Sequence, residues 1–72
     1  MLPLTAKEME YIVDSMSNED LLTKQCVSTG TQSMNVQVKT LCNQLINQHQ
    51  QHYQDLMALL QQHQTMAPQQ PQ

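Results

Sequence analysis

The sequence predicts an all-α protein, and three observations lead to that prediction. The stretch from Val36 to His63 contains neither Gly nor Pro. Its apolar side chains recur at steps of three and four residues, which is the period of one face of an α-helix. Two shorter segments before it combine an apolar face with residues that favour helix starts. Together they predict a short first helix, followed by an antiparallel hairpin whose second arm is long.

The first helix is predicted to begin just after Thr5. The segment from Thr5 to Glu8 has the form of a capping box, in which Thr accepts from a free backbone amide and Glu reaches back. The helix dipole also favours an acidic side chain in the first turn. We therefore predict a helix over residues 6–16. Its apolar face comprises Met9, Ile12, Val13 and Met16.

The second helix is predicted to begin at Ser17, where a capping residue is again followed by acidic residues. Its inward face would comprise Leu21, Leu22, Cys26 and Thr29. Gly30 is the only glycine, and glycine commonly ends helices. An interior glycine costs only about 1 kcal/mol, however, so the sequence leaves the helix end open between Gly30 and Ser33.

The third and longest helix is predicted over residues 36–63, with Asn35 as its cap. The side chains predicted to form its buried or interface face are Leu41, Leu45, Ile46, His49, Tyr53, Leu56 and Leu60. Residues 65–72 contain two prolines and no apolar period, so a disordered Gln/Pro-rich tail is predicted there. Residues 1–64 are predicted to form a single helical domain.

The supply of core residues is small for a domain of this size. The chain has 72 residues, and its only aromatic side chains are Tyr11 and Tyr53. Domains this short bury a small fraction of their surface and often need additional stabilisation. We therefore expect two copies to pair into a four-helix-type bundle, so that each copy completes the core of the other.

The composition also excludes several functional classes. The net charge is −3, with three Lys and no Arg, which argues against nucleic acid or an anionic membrane as a partner. No apolar run approaches the roughly 20 residues of a membrane span. The N-terminal segment lacks the pattern of a secretory signal, so we expect the protein to stay inside a cell. Neither a phosphate-binding glycine loop nor a nucleophile elbow is present, so we expect no enzymatic activity.

His49 and His52 are the candidate metal ligands, because side chains three residues apart on a helix can reach one ion. The Glu-x-x-His motif of di-iron bundles is absent. A carboxylate from a neighbouring helix would have to come from Glu10, Asp14 or Glu19. The alternative is that His49 and Tyr53 fill the core, where a buried polar group needs a partner such as Asp14. Apart from such an ion, no cofactor is expected.

Cys26 and Cys42 are the two cysteines of the chain. Since they lie at similar distances before and after the predicted turn at Asn35, they should stand at similar heights on facing helices. One interpretation is a pair of small core residues in a reducing cytosol. The other is a disulfide, within one hairpin or between subunits, provided that the helices allow the required Cα separation.

The segments from Thr5 to Leu22 and from Leu41 to Leu60, with the Gln/Pro-rich end, resemble the small spore coat proteins of the coat F type. The most specific part is the His-Gln-Gln-His-Tyr cluster at His49–Tyr53. The chain departs from that family in having few aromatic residues in the second helix, and in Gly30.

This resemblance implies a ferritin-like helical fold and a structural role in the bacterial endospore coat. The protein would be made in the mother-cell cytoplasm and then laid down in the coat. Its partners would be other copies of itself and other coat proteins. Two competing functions are a ferritin-like metal-binding protein that uses His49 and His52, and an adaptor that recruits other coat proteins.

Overall fold

The fold is an antiparallel hairpin of two long α-helices, seen in a computed structural model described over residues 3–66. Helix α1 spans Ala6–Gln32 and helix α2 spans Val36–Met66. The two helices pack against each other along their lengths, and the described residues contain no strand. The molecule is rod-shaped, with extents of 56 × 19 × 18 Å. The prediction of an all-α fold of packed helices is confirmed, whereas the predicted layout of three helices is not, since the structure has two helices of 27 and 31 residues.

The predicted boundary between the first and second helices is wrong, because α1 continues through Ser17 without a break. Ser17 and Asn18 are solvent-exposed, and neither Gly nor Pro interrupts the chain here. The residues that face α2 keep steps of three and four across this point, so the packed face is continuous. Packing of a continuous face outweighs a local capping signal, because most helical stability in proteins comes from such packing.

The continuity of α1 also changes which residues face inward. Ile12 and Met16 are buried, and the same phase then brings Glu19, Thr23, Cys26 and Gly30 to the side of α2. Leu21 and Leu22, which the separate second helix would have placed inward, are 52% and 39% exposed. The predicted face of the second helix was therefore wrong for both leucines and for Thr29, which is exposed, and right for Cys26.

The N-terminus of α1 has the predicted capping box. The Glu8 amide donates to the Thr5 hydroxyl oxygen at 3.1 Å, and the Thr5 amide donates to the Glu8 carboxylate at 2.9 Å. The hydrogen bond from the Thr5 backbone is the main cause that lowers the pKa of Glu8 below its ordinary value. The local sequence is thus sufficient to start α1 at Ala6.

Residues 33–35 form the turn between the helices. Ser33 ends α1, and its amide donates to the Thr29 carbonyl at 2.9 Å. The Asn35 side-chain oxygen accepts from the amides of Gln37 at 2.8 Å and Val38 at 3.2 Å. Asn35 therefore caps α2 as predicted, and it satisfies two amides that have no partner within the helix.

Gly30 lies inside α1 and has an ordinary helical conformation. A Cβ atom at this position would be 3.2 Å from the Cys42 Cβ and 3.9 Å from the Cys42 Sγ. Glycine therefore allows the backbone of α1 to approach α2 closely at this point. The sequence left the end of this helix open between Gly30 and Ser33. The structure places the C-cap at Ser33, so Gly30 is a packing residue and does not end the helix.

The hairpin buries few side chains. Of the residues that the structure describes, the buried ones are Ile12, Met16 and Cys42. On α2, the predicted face is half-buried at Leu45, Ile46, His49, Tyr53, Leu56 and Leu60. Leu41 is 53% exposed, which places it outside the contact between the helices. Two helices alone thus form a seam of contact and not an enclosed core.

The end of the hairpin opposite the turn is held together by a hydrogen bond between residues 4 and 63. At the open end, the Leu4 amide donates to His63 Nδ1 at 2.9 Å, which joins the two ends of the hairpin. Thr65 and Met66 belong to the last turn of α2. The rest of the predicted tail, residues 67–72, lies outside the described residues.

Within the described part, neither α1 nor α2 has an apolar stretch long enough to cross a membrane.

Candidate functional site

The seam between the helices is polar at its centre, where Glu19 of α1 meets His49 and His52 of α2. These three residues are called the Glu19 cluster. His49 lies on the side of α2 that faces α1, and His52 lies three residues later in α2, almost one helical turn away. Glu19 faces them because it follows Ile12 and Met16 in the inward phase of α1. The antiparallel arrangement places all three at the same height on the rod.

The Glu19 carboxylate contacts both imidazole rings. His49 Nδ1 lies 2.5 Å from Glu19 Oε2, and His52 Nδ1 lies 3.4 Å from Glu19 Oε1. The two rings are nearly perpendicular, with centroids 6.2 Å apart. Each oxygen of the carboxylate therefore faces a different histidine, and the contact with His49 is the short hydrogen bond of the pair.

The cluster is shielded from solvent on the inner side and open on the other. The Glu19 and His49 side chains are 19% and 16% exposed, whereas His52 is 56% exposed. A carboxylate without a proton can only accept hydrogen bonds, so the His49 tautomer with a proton on Nδ1 is the one that satisfies this short contact with such a carboxylate. A carboxylate that loses most of its hydration is costly unless a partner compensates, and here the two rings do so.

The cluster has donor groups at a spacing that could hold a metal ion. One ligand atom from each of the three side chains can be chosen so that all lie within 4.8 Å of one another. Within residues 3–66, this is the one group of three His, Cys, Asp or Glu side chains with that geometry. Imidazole nitrogen and carboxylate oxygen are ordinary ligands of zinc and related divalent ions.

The structure brings together part of what the sequence suggested. His49 and His52 share a site, and the carboxylate opposite them comes from Glu19. Glu10 and Asp14, the other carboxylates considered, are solvent-exposed and lie outside the cluster. In the core interpretation, Asp14 was the expected partner of His49, and Glu19 takes that place. Steps of three and four from Ile12 would have identified Glu19, had α1 been treated as one helix.

Cys26 and Cys42 are both free thiols in the described structure. Cys42 is buried against Gly30, and Cys26 is half-buried at the edge of the seam. The groove beside Cys26 is lined by Val27, Gly30 and Ile46, among others. Whether the two thiols remain a core pair or become oxidised stays a prediction.

Each broad side of the hairpin carries a row of exposed or half-exposed apolar residues. On one side, two adjoining grooves are lined by Tyr11, Leu56 and Leu59. Leu22 follows the groove residue Ser15 by seven positions, and Leu41 precedes Asp55 by fourteen, so both continue these rows. We call this side the Tyr11 face: it comprises Tyr11, Leu22, Leu41, Leu56 and Leu59.

The opposite side carries a second row, called the Val13 face. Its grooves are lined by the apolar residues Val13, Val27, Ile46, Tyr53 and Leu60. Polar residues such as Asp20, Lys39 and Gln50 are interspersed among them. The grooves of this face are therefore lined by apolar and polar side chains together.

A search of protein-family models, of curated proteins and of solved structures finds no match to this chain.

Proposed function

We propose that this protein is a self-associating helical building block of the bacterial endospore coat. The observation that supports self-association is the row of exposed apolar side chains on the Tyr11 face. Tyr11 is 72% exposed, Leu41 is 53% exposed and Leu22 is 39% exposed. Several exposed apolar side chains along one side of the hairpin favour a protein–protein contact, whereas a single exposed leucine is ordinary.

The small number of buried side chains supports the same proposal. The two packed helices leave both broad sides of the hairpin exposed to water. Only three side chains within residues 3–66 are buried. A short chain of this kind gains stability when a partner covers one of its sides. The predicted ferritin-like half-bundle, completed by a second hairpin, would supply that cover.

A second copy fits the Tyr11 face in size and in charge. The broad side of a rod 56 Å long and 19 Å wide spans roughly 1,000 Å², against about 800 Å² per partner in a standard interface. The grooves of this face include Lys7 as well as the acidic residues Glu8 and Asp55. Residues of both signs allow a two-fold contact in which a cation of each copy meets an anion of the other.

The Val13 face extends the proposal from a dimer to a layer. A closed dimer through the Tyr11 face leaves Val13 and Val27 half-exposed on its outer side. These residues then offer a second, weaker contact, which a coat component requires and a free dimer does not. Abundant Gln and a net charge of only −3 keep repulsion between neighbouring copies small.

The spore coat assignment is supported by the resemblance of the segments from Thr5 to Leu22 and from Leu41 to Leu60 to coat F-type proteins. In this proposal, the protein is made in the mother-cell cytoplasm and assembles with other coat proteins around the forespore. It acts as a structural component and carries out no catalysis.

Measurement of the molar mass in solution tests self-association. Sedimentation equilibrium of the full chain should give at least twice the mass of 8.3 kDa for one copy. Replacing Leu22 and Leu41 together with Lys should shift the protein to a monomer, because two unpaired charges would be buried in the interface. Both positions are exposed in the single hairpin, so the helices should persist, as circular dichroism would show.

The matched control is the replacement of Val13 and Val27 with Lys on the opposite face. This variant should remain dimeric but lose any species larger than the dimer. A wild-type protein that stays monomeric at its highest soluble concentration would rule out self-association. Specific binding of that monomer to a purified coat protein would then favour the adaptor function.

Localisation tests the spore coat assignment separately. A fluorescent fusion of the chain, expressed during sporulation in an endospore-forming bacterium, should first appear in the mother cell and then form a ring around the forespore. The variant with Lys at positions 22 and 41 should form a fainter ring, because fewer copies are held by one another. A signal that stays diffuse in the mother cell with the wild-type chain would contradict the assignment.

A further inference from the structure

We propose that the Glu19 cluster binds one divalent transition-metal ion of the zinc class per chain. The ion would be held by the Glu19 carboxylate of α1 and by the His49 and His52 imidazoles of α2. This inference goes beyond the structural role proposed above, since a coat building block does not require a metal ion. It is carried by the geometry and the partial burial of three donor groups from two helices.

The present positions of the donors lie close to those of a metal site. Zinc bonds to imidazole nitrogen and carboxylate oxygen are about 2.0–2.2 Å long, so two tetrahedral ligands lie roughly 3.3–3.6 Å apart. His52 Nδ1 and Glu19 Oε1 are already 3.4 Å apart. His49 Nδ1 and Glu19 Oε2 are 2.5 Å apart, in the short hydrogen bond of the cluster. An ion that replaces the proton of this hydrogen bond needs only a side-chain movement of about 1 Å.

The surroundings favour a doubly charged ion over other occupants. Glu19 is mostly removed from water, and the ion-pair contacts of its carboxylate within residues 3–66 are with the two histidines. Two imidazoles and one carboxylate supply nitrogen as well as oxygen. Mg²⁺ and Ca²⁺ prefer sets made of oxygen alone, whereas Zn²⁺ and its neighbours accept imidazole readily.

The proposed metal site is shielded by the contact between the helices at Glu19 and His49, and it is exposed to solvent at His52. His49 is held in the seam, and His52 lies at the rim, in the groove that also contains Ser15 and Asp55. Three protein ligands leave one tetrahedral position for water or for another donor on that open side. In the single hairpin His52 is 56% exposed on the Tyr11 face, so its ring can turn towards the ion without a change in the packing of α1 against α2.

Titration of the purified full chain with Zn²⁺ tests this inference. After treatment with a chelator and its removal, calorimetry should show saturable binding of one Zn²⁺ per chain. Co²⁺ bound in place of Zn²⁺ should give the intense visible absorption of an ion with fewer than six ligands. His52→Gln should weaken binding by at least tenfold, since loss of a group that merely orients a ligand already costs about 10–100-fold.

The matched control is His63→Gln, which removes the third histidine of the chain at a position outside the cluster. This variant should bind Zn²⁺ as the wild-type chain does. Glu19→Gln, which keeps the shape of the side chain, should lose binding like His52→Gln, with an unchanged helix content by circular dichroism. The variant with Lys at positions 22 and 41 should still bind one ion per chain, which separates metal binding from association.

Three results would overturn the proposal. The first is the absence of stoichiometric Zn²⁺ binding to the wild-type chain. The second is unchanged affinity in His52→Gln, and the third is an equal loss of affinity in His63→Gln. In each case the Glu19 cluster would be a buried hydrogen-bonded group that serves packing alone.

Discussion

Replacing Ile12 with Ala is expected to lower the free energy of unfolding by about 2–5 kcal/mol, the range for large-to-small changes in a core. Ile12 is 6% exposed and is one of the three described side chains that are buried. A hairpin with so few buried residues has little else to compensate. Domains of this length have total stabilities of only about 4–11 kcal/mol, so the variant should melt at a much lower denaturant concentration.

The control for this prediction is Leu21→Ala on the outer side of α1. It removes a side chain of similar size, but Leu21 is half exposed in the hairpin. The expected change is within about 0.5 kcal/mol, as for most surface substitutions. Both variants should be compared with the wild type by urea unfolding at one protein concentration, since association would shift the apparent stability. Equal losses in the two variants would mean that the phase of α1 is wrong.

Replacing Gly30 with Leu is expected to lower the free energy of unfolding by about 1–3 kcal/mol, the usual cost of overpacking. The first added atom would already lie 3.2 Å from the Cys42 Cβ, so the remaining atoms must push the helices apart. Helix propensity alone predicts the opposite sign, since Leu is better than Gly in a helix by up to about 1 kcal/mol. The sign of the change in urea unfolding therefore reports whether the helices touch at this point.

The control is Ser28→Leu, two residues earlier on the exposed side of α1. With no facing helix in the hairpin, this substitution should be neutral or slightly stabilising, because Leu has the higher helix propensity. Combining Gly30→Leu with Cys42→Gly should recover part of the loss, since the second change removes the atoms that are crowded. A stabilising effect of Gly30→Leu on its own would show that the two helices are further apart.

The polar centre of the seam has a consequence for the whole rod. Ile12 and Met16 form an apolar contact at one end, and Cys42 with Gly30 forms a tight contact at the other. Between these two contacts lies the Glu19–His49 hydrogen bond, which stabilises less than apolar burial of the same area. A polar pair at this position favours one register of the helices, because a shift by one turn would take at least one of the two histidines away from Glu19.

Much of the fold could be predicted from local patterns. The capping box at Thr5, the cap at Asn35 and the long helix that follows it all depend on residues a few positions apart. Their hydrogen bonds form within one turn, whatever the rest of the chain does. Composition likewise indicated a small core, because few large apolar side chains are present to fill one.

Other features depended on contacts between residues distant in the sequence. The start signal at Ser17 was misleading, because α2 packs along the whole of α1 and keeps it in one piece. The same contact makes Gly30 a packing residue and places Glu19, not Asp14, beside His49. Residue types near one position predict the ends and faces of a single helix. They do not specify which turns of two helices lie side by side, since that depends on the register of the whole seam, and the candidate metal site exists only in that register.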